Sequence, residues 1–136
     1  MTARTALIVS CDRNLTRAVS QTLQDLGLRV ETAYDYPTAM GLIDDRLPAL
    51  ICLDFAVPSP CQLGLCEMLE TDAAARDVPV LGFADAWDAA TIARTGGLCV
   101  YHLKRSPEMA ARLRPFVEEL IDLGAPVTTP GYTPGS

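Results

Sequence analysis

Short apolar runs alternate along the chain with longer stretches in which apolar residues recur at helical spacing. Ala6-Leu7-Ile8-Val9 is the first run, and Leu15, Ala18, Val19, Leu23 and Leu26 then mark one face of a helix that closes at Gly27. Leu28 to Ala33 reads as a second strand. Tyr36 to Leu47 reads as a second helix, with Ala39, Leu42 and Ile43 on one face and Pro37 suited to its first turn. Ala49 to Leu53 is apolar at every position and stops at Asp54, the pattern of a central strand covered on both faces.

Beyond a Pro58-Ser59-Pro60 turn, Gln62 to Thr71 predicts a short helix and Val78 to Ala84 a fourth strand. Trp87 to Thr95 predicts another short helix, closed by Gly96-Gly97, and Leu98 to Leu103 a fifth strand. The last helix has Ser106 as expected N-cap, Pro107 at its first position and Glu108 in its first turn. It runs to Gly124 with Pro115 inside it. Residues 1–124 therefore form one domain, and 125–136, rich in Pro, Thr and Gly, read as a flexible tail or the start of a linker. Five strands alternating with five helices predict an α/β fold, a doubly wound five-stranded parallel sheet with helices on both faces. The functional crevice of such a sheet lies outside the carboxyl ends of its strands, at the switch in strand order.

Composition narrows the function. The chain has 136 residues, is 49% hydrophobic and carries a formal net charge of -6, which suits one folded domain and works against nucleic-acid binding. No apolar run reaches membrane-spanning length, and the chain reads as cytoplasmic with no membrane partner. Five cysteines, an odd number without metal-ligand spacing, and a single histidine, His102, argue for reduced thiols and against a zinc site.

The expected strand ends carry the chemistry. They are Ser10-Cys11-Asp12 after strand one, Asp54 after strand three, Ala84-Asp85 after strand four and Lys104 after strand five. Lys104 is the one lysine beside ten arginines, and its compact ammonium can reach a single carboxylate or phosphoryl oxygen, whereas a guanidinium is a wide planar fork. Taken by themselves, Asp54 and Lys104 read more simply as a salt bridge capping the sheet.

From Ala6 to Leu123 the chain resembles the receiver domain of bacterial response regulators, the CheY-like, flavodoxin-like fold. The resemblance rests on an Asp ending a buried strand with Pro58 four residues on, the Val78-Pro79-Val80 start of strand four, and Tyr101 three residues before Lys104. It implies a non-enzymatic module of two-component phosphorelay signalling, with a histidine kinase or other signalling protein as partner and a second copy of the chain as a further candidate. It also implies that Asp54 is the phosphoacceptor, Lys104 the phosphoryl-contacting cation and Tyr101 the switch aromatic. Asp54, Asp12 and the Ala56 carbonyl would be what remains of a Mg2+ site.

The sequence departs from that pattern where the chemistry is densest. Ser10 and Cys11 stand where the family has two carboxylates, and Asp12 falls one residue late as a residual acid. Mg2+ prefers hard oxygen ligands, so weak metal binding is expected. Ala84 replaces the hydroxyl residue that ends strand four, and Arg105 replaces the proline after the lysine. The expectation is a degenerate receiver that signals through protein contacts. Two alternatives are a flavodoxin-like ligand domain, with Ser10, Arg13 and Asn14 cradling a phosphate, and thiol chemistry at Cys11.

Overall fold

A computed structural model describes residues 4–55, 60–72, 75–95, 101–106 and 108–124. Five parallel strands, β1 (Thr5–Val9), β2 (Arg29–Ala33), β3 (Leu50–Asp54), β4 (Val80–Ala84) and β5 (Tyr101–Lys104), form one sheet in the order β2-β1-β3-β4-β5. The α/β fold expected from the alternating pattern is the fold observed. The strand order reverses between β1 and β3, so the loops after these two strands diverge and leave a crevice there. Val9 is level with Leu53, and Asp54 with Phe83, which places Ser10 and Asp54 together at that crevice.

Helices α1 (Arg13–Asp25) and α5 (Met109–Gly124) cover one face, while α2 (Tyr36–Asp45) and α3 (Pro60–Thr71) cover the other. Ile8, Cys52, Leu81, Phe83 and Leu103 point under α1 and α5; Leu7, Val9, Ile51, Leu53, Val80 and Ala84 point the opposite way. A strand that must bury alternate residues on both faces has no polar side to show, which is why β1, β3 and β4 are buried at every position and apolar apart from Thr5 at the start of β1 and Asp54 at the end of β3. Burial also pushes the Cys52 thiol up to about 12, leaving it inert as a nucleophile.

Local signals set the helix ends. Asp12 caps α1, its Oδ1 accepting from the backbone N–H groups of Asn14 and Leu15 at 3.0 and 3.1 Å. At the other end Gly27 takes φ +88°. Its N–H donates to the Gln24 carbonyl at 2.9 Å while that of Leu28 reaches back to Leu23 at 3.0 Å, a Schellman motif that needs glycine at its centre. Asp35 caps α2 through the Thr38 N–H, a bond that holds its carboxyl below the usual carboxylate range.

Several boundaries differ from expectation. Helix α4 (Ala89–Thr95) starts after Trp87, which is half-buried in the preceding loop because its indole packs inward. Strand β5 is described over Tyr101–Lys104, and residues 96–100, which hold the expected start of the strand and the Gly96-Gly97 stop, lie outside the described residues. Ser106 does not cap α5 with its side chain: its hydroxyl is buried without a partner among the described residues, and its carbonyl accepts the Met109 N–H at 3.1 Å. Pro107 and the tail 125–136 lie outside the described residues, and Pro115 is accommodated within α5.

Candidate functional site

Asp54 ends β3 at the strand-order reversal, with 8% of its surface exposed. One carboxylate oxygen, Oδ2, accepts the Ser10 hydroxyl at 2.7 Å. Ser10 is itself fixed, since its N–H donates to the Ala33 carbonyl at 3.1 Å and its Oγ accepts the Asp12 N–H at 3.1 Å. The Tyr36 hydroxyl donates to the Asp54 carbonyl at 3.0 Å, tying α2 to the end of β3. A cavity of about 190 Å³ opens beside the carboxylate, bordered by Ser10, Cys11, Tyr34, Tyr36 and Asp54. Cys11 is exposed at its rim. The Ala56 carbonyl lies outside the described residues.

The cation beside the Asp54 carboxylate is Arg105, not Lys104. Leu103 is buried under α5, so the alternation of β5 turns Lys104 to the opposite face, where it is exposed and makes no ion pair among the described residues. Asp54, two residues beyond Cys52, belongs to the same face as Leu103. Arg105 returns to that face, held by its N–H to the Ala84 carbonyl at 2.8 Å. Its guanidinium pairs with Asp12, lies 3.7 Å from Asp54 Oδ1 through Nε, and reaches Asp85 Oδ1 at 3.3 Å. Lys104 and Asp54 do share the carboxyl edge of the sheet, as expected, but on opposite faces.

The same alternation relocates the aromatic residue. Tyr101 faces α5, its ring centroid 4.5 Å from that of Phe116. A hydrogen bond to the Glu119 carboxylate raises the Tyr101 phenol above its ordinary range. Ala84 points to the other face, so space left by its missing hydroxyl is not open to Tyr101. His102 occupies that other face instead, with Trp87 edge-on at 4.4 Å. The Trp87 Nε1–H donates to the Leu103 carbonyl at 3.0 Å, and the indole also meets Phe55 at 6.0 Å. The indole therefore fills the slot beside the end of β5.

These residues do not fit a Mg2+ ion. The surroundings of Asp54 offer a serine hydroxyl already donating to it, a thiol, and an Asp12 whose two oxygens serve the α1 cap and Arg105. A guanidinium stands among the carboxylates that a divalent ion would need. A phosphate cradle at the start of α1 fares no better, because Asp12 already takes the Asn14 and Leu15 N–H groups.

No family model matches the chain. It is 30% identical over 79 residues to the phosphate regulon transcriptional regulatory protein PhoB of Klebsiella pneumoniae, a match covering 58% of this chain and 34% of that protein. The chain thus spans about a third of the curated relative it matches. Among solved structures it superposes on the chemotaxis response regulator CheY4 of Vibrio cholerae with a TM-score of 0.75 at 20% identity, covering 88% of this chain and 99% of that one. The signal receiver domain of a histidine kinase from Syntrophus aciditrophicus gives 0.77 at 21% identity, covering 98% and 100%.

The fold is that of a response-regulator receiver domain. Within this receiver fold, sequence reasoning placed Asp54, Ser10 and Asp12 at one site, and they meet there. It missed Arg105 as the cation beside Asp54 and His102 and Trp87 as the aromatic pair. The available signal was the parity of β5: if Leu103 is the buried residue, Arg105 and not Lys104 shares its face.

Proposed function

We propose that this chain is a receiver module of two-component signalling that works by protein-protein contact and is not itself an enzyme. Its partners on this reading are a histidine kinase or another signalling protein. Asp54 is an impaired phosphoacceptor. Its phosphorylation would form an Oδ–P bond as the donor's bond to phosphorus breaks, and that attack needs cations to offset the incoming charge. The observation that carries the reading is Arg105 seated among Asp12, Asp54 and Asp85, together with Ala84 at the end of β4. The first impedes metal-assisted transfer, and the second removes the hydroxyl that would pass the change to a switch residue. A preformed surface then does the signalling.

Incubation of the full chain with a small phosphodonor and Mg2+, followed by intact mass, tests the chemistry. The expected result is phosphorylation of a minor fraction at most. In the native host, Asp54→Ala should retain most signalling. Stoichiometric phosphorylation, combined with loss of signalling in a folded Asp54→Ala protein, would overturn the proposal.

A further inference from the structure

We infer that Arg105 is a tethered counter-ion that takes the place of a divalent cation at this site and excludes it. The inference does not depend on Asp54 being phosphorylated. Three carboxylates converge from three different strand ends: Asp12 after β1, Asp54 closing β3 and Asp85 after β4. Left alone they would repel one another at the mouth of a pocket where Asp54 is nearly buried. The guanidinium comes from a fourth loop, after β5, and its planar fork spans two carboxylates where an ammonium meets only one.

The contacts are not equal. Asp85 is largely exposed, so its pairing is screened by solvent, whereas Asp12 and Asp54 carry the compensation. Arg105 Nε is buried and makes no hydrogen bond among the described residues, standing 3.7 Å from Asp54 Oδ1. Charge rather than hydrogen-bond geometry therefore holds that end of the fork beside Asp54. Because the cation is covalently attached, its local concentration is fixed whatever the metal content of the solution. A divalent ion would have to displace it and shed water besides.

The test is titration of the full chain with MgCl2 and MnCl2, followed by calorimetry and by the fluorescence of Trp87, the one tryptophan, which packs on Phe55 next to Asp54. The wild-type chain should show no saturable binding below about 10 mM metal, whereas Arg105→Ala should bind at least about tenfold more tightly. Adding Asp54→Asn to Arg105→Ala should abolish the gain, which locates the ion. Arg105→Gln, which keeps length and polarity without charge, should gain affinity in the same way and serves if the alanine variant does not fold. Lys104→Ala should behave as wild type. Saturable binding by the wild-type chain at submillimolar metal would overturn the inference, as would folded Arg105 variants that gain nothing.

Discussion

Two of the strands that end at the candidate site, β3 and β5, are built in opposite ways. Strand β3 lies between β1 and β4 and is buried at all five positions, Leu50 to Asp54. Strand β5 lies at the edge of the sheet, and of its four residues only Leu103 is buried. Burial on both faces leaves the terminal residue of β3 one place to go, so Asp54 must meet Ser10 across the crevice. The edge strand has no such constraint. Two adjacent cations, Lys104 and Arg105, stand at its end, and the one whose parity matches Leu103 reaches Asp54.

The difference predicts unequal costs of substitution. The largest separation should come from Leu53→Ala against Lys104→Ala, measured by urea unfolding. Leu53 is wholly buried, and its truncation should cost about 3 kcal/mol. Lys104→Ala should change stability by less than about 0.5 kcal/mol. A Lys104 variant destabilised as much as Leu53→Ala would mean that β5 is not the loosely held edge described above.

Arg105→Ala comes next, with an expected loss of about 1–2 kcal/mol, kept moderate because the pocket is partly open to solvent. It should exceed the effect of Lys104→Ala in the same assay. The reverse order would show that the strand parity is wrong. Trp87→Phe keeps the aromatic body but removes the donor to the Leu103 carbonyl, and should cost about 1 kcal/mol. A neutral outcome would show that the indole hydrogen bond does not help to hold the edge strand.

The amino-acid pattern by itself determined the doubly wound sheet, because uniformly apolar runs separated by helical periodicity admit few other arrangements. It also determined that Asp54 and the residues after β1 share one site, since both follow central strands on either side of the strand-order reversal. The C-terminal end of α1 was legible in Gly27, whose positive φ the Schellman motif requires. What only the tertiary structure decided lies on β5 and its surroundings. Tyr101-His102-Leu103-Lys104 has plausible side chains for either face, and a shift of one residue exchanges Tyr101 for His102 and Lys104 for Arg105. Packing chose, by placing Leu103 under α5 and seating Trp87 on His102. A central strand is specified by its own composition, whereas the facing of an edge strand is set by neighbours that local sequence does not reveal.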